Sequence, residues 1–235
     1  MLRTLLVVTC LFAFAAAPRA QMSLDDQRAS YPLTVCAVSG EAFEAGAEVV
    51  ELEHEGTLVR LCCDGCTKGF RKDPDAIVAS IHAAVIADQK PRYPLTTCVV
   101  TGEELGADAV DHVFGTRLVR VKDAAAAAKF DADWGRLIGK LDDAWIEAGR
   151  ASYPLTTCIV SEEPLVEPAK EVLYGTRLVR MCCKGCVKEF HADPARVLAK
   201  LDARAAELAA KKARSESKQK EKDAADAARE GGRSR

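Results

Sequence analysis

One hexapeptide, written three times, limits what this chain can fold into. Tyr31-Pro32-Leu33-Thr34-Val35-Cys36 returns as Tyr93-Pro94-Leu95-Thr96-Thr97-Cys98 and again as Tyr153-Pro154-Leu155-Thr156-Thr157-Cys158. Spacings of 62 and 60 residues are too long for a solenoid rung and long enough for a small domain each time. The expected organisation is three tandem modules, at residues 31–90, 93–150 and 153–201. Each copy passes a turn (Ser39-Gly40, Thr101-Gly102, Ser161-Glu162) and reaches Gly56-Thr57-Leu58-Val59-Arg60, Gly115-Thr116-Arg117-Leu118-Val119-Arg120 or Gly175-Thr176-Arg177-Leu178-Val179-Arg180. Alternation of apolar and polar residues about a glycine turn predicts a β-hairpin.

Helix signals follow in every copy. Asp73-Pro74 and Asp193-Pro194 read as an N-cap with proline at the first helical position. Ile77, Val78, Ile81 and Val85 then supply an apolar face, as do Val197, Leu198 and Leu201, and in the middle copy Trp134, Leu137, Ile138, Leu141 and Trp145. Each module is therefore expected to be a small α+β unit, a β-hairpin plus helices, joined to the next by a helical linker.

Such a unit is short of core. Apolar residues make up 49% of the 235, but 40 residues are alanine and only 13 are aromatic. About a dozen large apolar side chains per module is little for independent folding, and domains of that size commonly add disulfides or a metal. The net charge of −2 excludes a generic nucleic-acid binder, which carries a basic excess.

The ends read differently. Residues 1–20 have the form of a secretory signal: Arg3, an apolar run from Leu5 to Ala17, and a small-residue exit through Ala20. The run is too short to span a bilayer of ~30 Å, and Cys10 within it is expected to leave with the signal. No later stretch could cross a membrane, so the mature protein is expected in the periplasm or secreted. Residues 202–235 carry ten basic and seven acidic side chains with no sustained apolar stripe. They are expected to form a solvated helix fraying into a disordered tail.

Nine of the ten cysteines fall in the repeats. The first has Cys36 followed by Cys62-Cys63-Asp64-Gly65-Cys66, and the third has Cys158 followed by Cys182-Cys183-Lys184-Gly185-Cys186. Placed on a helix, Cys62 and Cys66 share one face, as do Cys182 and Cys186, and the earlier thiol can converge on them across the hairpin. Soft thiolates grouped this way suit Zn2+, Cu+ or another thiophilic ion. Disulfides are permitted by export, but nine is an odd number and Cys62-Cys63 makes a strained pair. Cys63 and Cys66 have redox Cys-x-x-Cys spacing, but without a thioredoxin-like βαβ pattern around them.

The middle copy is an internal control. At the cluster positions it has Lys122, Asp123 and Ala126, so its site is dismantled, whereas Arg120 and Phe130 persist as counterparts of Arg60, Arg180, Phe70 and Phe190. Those side chains are assigned to folding. Cys98 also persists, which leaves the first cysteine of each copy open as core residue or ligand; Cys36 and Cys158 are favoured as ligands because two thiols under-coordinate a zinc-like ion. Successive helical residues point about 100° apart, so either member of each vicinal pair, or both in a distorted site, remains a candidate. His54, His82, His112 and His191 have no repeated placement and are expected to be ordinary surface residues.

With these residues in view, the first and third copies resemble the TRASH/YHS heavy-metal-binding domains. Cys36-Ala37-Val38-Ser39-Gly40 matches the first knuckle, with Ser39 where the fuller form has a second cysteine. Cys62 and Cys66, Phe70 and Asp73-Pro74 match the rest, as do Cys158, Cys182, Cys186, Phe190 and Asp193-Pro194. The resemblance implies three tandem treble-clef-like modules and a role in metal sensing, sequestration or trafficking. Metal ligation is assigned to Cys36, Cys62, Cys63 and Cys66, and to Cys158, Cys182, Cys183 and Cys186. The expected protein is a non-enzymatic partner of metal ions, and of another envelope protein. The alternatives are a structural-zinc scaffold for protein contacts and a thiol-redox or disulfide-linked envelope protein.

Overall fold

The computed structural model describes residues 21–44 and 48–231, with side chains as far as 222. The expected signal segment, residues 1–20, lies outside the described residues. What is described is a mixed α+β chain: α1 (Leu24–Ala29), β1 (Val50–His54), β2 (Thr57–Leu61), α2 (Asp64–Phe70), α3 (Pro74–Gln89), β3 (Val110–Phe114), β4 (Arg117–Val121), α4 (Ala124–Ala132), α5 (Trp134–Ser152), β5 (Lys170–Tyr174), β6 (Arg177–Met181), α6 (Lys184–Ala192) and α7 (Pro194–Gly231). Two compact units divide it, Met1–Pro91 with Leu95–Lys140, and Arg92–Pro94 with Leu141–Arg235.

The three sheets are antiparallel two-stranded hairpins in matching register, with Leu52 opposite Val59, His112 opposite Val119 and Val172 opposite Val179. Each closes through a two-residue turn. In the first, Glu55 and Gly56 both hold positive φ (48° and 83°), whereas in the others only the leading Gly115 or Gly175 does. These are the two backbone solutions that match strand twist, and the exchange moves the glycine forward by one place. It explains why the second and third copies carry an additional arginine, Arg117 or Arg177, after the threonine.

A hairpin cannot hold itself together in water and needs a face to bury. Leu58, Val59 and Leu61 are buried, as are Phe70 and the α3 side chains Val78, Ile81 and Val85; in the last repeat Val179 and Met181 pack with Phe190, Val197 and Leu201. The conserved-in-repeat arginines act as expected of folding residues. Arg60 pairs with Glu51 at 3.2 Å and Arg120 with Asp111 at 2.8 Å, while Arg180 meets Glu171 at 3.1 Å. The tyrosine opening the motif fixes the same strand, since Tyr31 Oη accepts from Arg60 N–H and Tyr153 Oη from Arg180 N–H.

Two glutamines add a clamp. Gln27 and Gln89 each lie four residues before a motif tyrosine and are fully buried. Gln89 Nε2 donates to Thr116 C=O at 2.9 Å while its Oε1 accepts from Leu118 N–H at 2.8 Å; Gln27 does the same to Gly56 C=O and Leu58 N–H at 3.0 and 2.7 Å. One carboxamide thus satisfies two main-chain groups that the hairpin leaves unpaired. In the third copy this place is Gly149, where a Cβ would stand 2.6 Å from Leu178 Cβ, and Arg92 donates to Thr176 instead. Replacing Gln89 by Ala strands a buried donor and acceptor and is expected to cost about 2–4 kcal/mol, read from urea unfolding, against under ~0.5 kcal/mol for an exposed control such as Lys129→Ala.

Helix starts follow the capping signals. Asp73 Oδ1 accepts from Ala76 N–H at 3.1 Å ahead of Pro74, and Asp193 Oδ1 from Arg196 N–H at 3.0 Å ahead of Pro194. Helix α7 runs unbroken past residue 202 to Gly231, and beyond Ala205 its described side chains are exposed, so the charged segment is a solvated helix for as far as it is described. No helix among the described residues is long and apolar enough to cross a membrane.

The histidines are less idle than the sequence suggests. His54 pairs with Asp75 and lies edge-on to Phe70; His82 meets Thr57 Oγ1 at 2.9 Å, and His112 meets Asp131 at 2.6 Å. Only His191 is exposed, so the expectation of four surface histidines is corrected. The other three tie helix to hairpin.

Candidate metal centre

The first thiol of each site is set on a tight turn. Cys36 N–H donates to Glu41 C=O at 2.7 Å and Cys36 C=O accepts from Gly40 N–H at 3.0 Å. Closing that loop needs positive φ at its fourth following residue, which is Gly40 (73°), Gly102 (77°) and, in the third copy, Glu162 (65°). The same 2.7 Å bond joins Cys98 to Glu103 and Cys158 to Glu163, and all three cysteines are 1% exposed. The turn therefore forms with or without the rest of the site.

The remaining thiols come from the junction of hairpin and helix. Strand β2 ends at Leu61, Cys62 and Cys63 form a bend, and α2 starts at Asp64 with Cys63 as its N-cap residue. Helix α6 starts at Lys184 in the same way, with Cys183 as N-cap. The expectation that Cys62 and Cys66 share a helix face is corrected: Cys62 is not helical. The bend ahead of the helix carries its sulfur to 3.7 Å from Cys66 Sγ, and Cys182 to 3.7 Å from Cys186 Sγ.

Two triads result. The sulfurs of Cys36, Cys62 and Cys66 lie within 4.8 Å of one another, and so do those of Cys158, Cys182 and Cys186. Two thiolates on one four-coordinate ion with metal–sulfur bonds of 2.3 Å stand ~3.8 Å apart, so the observed 3.7 Å edges fit a thiophilic ion with little movement. Cys63 and Cys183 are exposed and fall outside these triads. Their sulfurs lie 3.9 Å from Cys66 Sγ and 3.6 Å from Cys186 Sγ, over the first turn of the helix. None of the nine cysteines among the described residues is disulfide-bonded.

The thiols do not ionise alike. Burial opposes ionisation of Cys36, but donors from the Ser39 hydroxyl and from the N–H groups of Ser39, Cys62 and Val38 outweigh it and bring the thiol down to about 6. Cys158, held by Ser161 in the same manner, also falls to about 6. Cys66 is pushed up to about 12 by burial and by the neighbouring sulfurs, and Cys186 likewise to about 12. At neutral pH each triad is thus one thiolate beside thiols that retain their protons because a second negative charge has no counter-ion. A bound cation supplies that counter-ion. Cys63 is lowered, first by the Cys66 N–H and then by the adjacent sulfurs, as suits a sulfur at a helix N-terminus.

The middle copy keeps the frame and replaces the chemistry. Lys122 stands where Cys62 stands in the first copy, and its ammonium lies 2.8 Å from both carboxylate oxygens of Glu103. Asp123 replaces Cys63 and caps α4 by accepting from Ala126 N–H at 2.8 Å.

Sequence reasoning placed Ser39, Thr101 and Ser161 in the turn without a role at the thiols, and passed over two further parts of the arrangement. Glu41, Glu103 and Glu163 recur five residues after the first cysteine; that recurrence was the available signal. The glutamines before the tyrosines were readable in the same way. Comparison with protein-family models, curated proteins and solved structures finds no match.

Proposed function

We propose that this chain is an exported, non-enzymatic protein that binds thiophilic metal ions at two sites and serves metal sensing, sequestration or trafficking. In this reading the three copies are treble-clef-like modules of the TRASH/YHS kind, the middle one acting as a spacer without a site. Cys36, Cys62 and Cys66 hold one ion, and Cys158, Cys182 and Cys186 the other. The single observation that carries the reading is the paired convergence of three sulfurs from a turn, a bend and a helix, present twice in one chain. The frame that builds it persists in the copy that keeps only the first thiol, so packing alone does not account for the thiols at the hairpin–helix junction. Two of the three sulfurs in the first triad and one in the second are only partly buried, open to ligand exchange with a donor or acceptor.

Elemental analysis of protein purified from its own compartment under reducing conditions tests this. About two metal equivalents are expected in the parent chain, and about one in each of Cys66→Ser and Cys186→Ser. Full metal content in both variants, or cluster thiols found paired in disulfides in the native protein, refutes the reading.

A further inference from the structure

We propose that Glu41 and Glu163 are the fourth ligands of the two thiolate sites, and that this ligand set selects a four-coordinate divalent ion over copper(I). The inference rests on the metal-binding reading above.

Three sulfurs leave a tetrahedral ion one ligand short. Around the first triad the acidic group placed to supply it is Glu41: its Oε2 lies 3.7 Å from Cys62 Sγ, and in the second triad Glu163 Oε2 lies 3.7 Å from Cys182 Sγ. A carboxylate oxygen and a thiolate sharing one zinc-sized ion are ~3.5 Å apart, given bonds of about 2.0 and 2.3 Å. Neither glutamate stands there by chance. Its main-chain carbonyl closes the turn that seats the first cysteine, at 2.7 Å in every copy, so backbone geometry roots the side chain beside that thiol. Ser39 Oγ sits beside the pair, contacting both Glu41 Oε2 (3.2 Å) and Cys62 Sγ (3.6 Å).

The middle copy supplies an independent observation. There the glutamate is retained although two thiols are gone, and the position of the lost Cys62 is taken by a cation. Both oxygens of Glu103 close on Lys122 Nζ at 2.8 Å. The carboxylate thus reaches the ligand position from this turn, and it meets positive charge when it does. An ammonium replaces the ion's charge in the copy that cannot bind one.

The competing fourth ligand is the vicinal cysteine. Its counterpart Asp123 shows what that position does in the frame, which is to cap the following helix through Ala126 N–H. Cys63 and Cys183 occupy the same N-cap residue in extended conformation, without a side-chain cap bond, and their exposed sulfurs fall outside the triads. A set of three thiolates and one carboxylate carries a hard oxygen that zinc accepts readily and that copper(I), which favours sulfur alone, does not need.

The test uses the full mature chain, reduced and stripped of metal. Zn2+ and Cu+ affinities are measured by competition with chromophoric chelators, and Co2+ spectra report the ligand set. Glu41→Gln and Glu163→Gln are each expected to weaken Zn2+ at their own site by about 10-fold or more, to shift the visible Co2+ bands, and to leave Cu+ affinity within about 2-fold. Glu103→Gln should change none of these. Because both ligand glutamates are exposed, the variants should retain the parent's circular dichroism. Unchanged zinc affinity in the glutamine variants overturns the assignment. So does a loss seen instead in Cys63→Ser and Cys183→Ser, which gives the fourth position to sulfur. A parent chain that binds neither ion refutes the underlying metal reading along with it.

Discussion

A chain carrying Lys122→Cys together with Ala126→Cys is expected to bind a third equivalent of Zn2+ or Co2+ beside the two proposed for the parent. The frame of the middle repeat is already built for it. Cys98 is 1% exposed on the same turn as Cys36 and Cys158, and its N–H makes the same 2.7 Å bond. Position 122 follows β4 as Cys62 follows β2, and position 126 lies in the first turn of α4 as Cys66 does in α2. Ala126 is 2% exposed, so a thiol there faces the interior as Cys186 does. Removing Lys122 also releases Glu103 from its ion pair. Asp123 continues to cap the helix, and the added volume is one sulfur in place of one hydrogen. Elemental analysis should rise from about two equivalents to about three, with added sulfur-to-cobalt charge-transfer absorption. Lys122→Cys alone should add nothing tight, because two thiols under-coordinate the ion. A double variant that stays folded and holds only two equivalents would mean that the convergence of sulfurs in the other repeats is not sufficient for binding.

Acidification should release the ions steeply, and with a slope that changes near pH 6. Cys36 and Cys158, brought to about 6, are already thiolates at pH 7, whereas Cys66 and Cys186, pushed to about 12, are still protonated, and Cys62 and Cys182 are raised as well. The sign follows directly. An ion binding at pH 7 displaces about two protons per site, so affinity falls about 100-fold for each pH unit lost. Below about pH 6 the first cysteine also takes a proton, three are displaced, and the fall steepens to about 1,000-fold per unit. Competition titrations at fixed pH between 5 and 8 measure the slope, and a dye in weak buffer counts the protons. A flat profile across that range would show that thiolates are not the ligands. Since binding to the folded state alone adds RT ln(1 + [L]/Kd) to stability, the melting temperature in excess Zn2+ should drop in step.

The two expectations meet at one physical point. Three acids packed within 4.8 Å cannot all ionise without a counter-charge. The outer repeats leave that charge to be supplied from solution, and the middle repeat carries its own in Lys122. Retaining the glutamate in all three copies is what makes that exchange of ion for ammonium visible.

Sequence alone determined a good deal of this. The three copies, the hairpins about their glycines, the Asp-Pro helix starts and the loss of chemistry in the middle copy were all readable, because each depends on neighbours within a few residues: strand alternation, capping, turn preference. The assignment of Arg60, Arg120 and Arg180 to folding also followed, from their persistence in the copy without a cluster. Only the tertiary structure decided which sulfurs lie together. Helical periodicity put Cys62 and Cys66 on one face, but the bend before α2 takes Cys62 off the helix, leaves Cys63 at the N-cap, and brings Cys62 beside Cys66 by another route. Glu41, Gln27 and Gln89 were visible only as residues recurring at fixed offsets from the motif, and what they bond was hidden for a related reason. Their partners are some 20 to 30 positions away in the chain, and only loop closure about the hairpin, which no local pattern encodes, brings such groups within hydrogen-bonding distance.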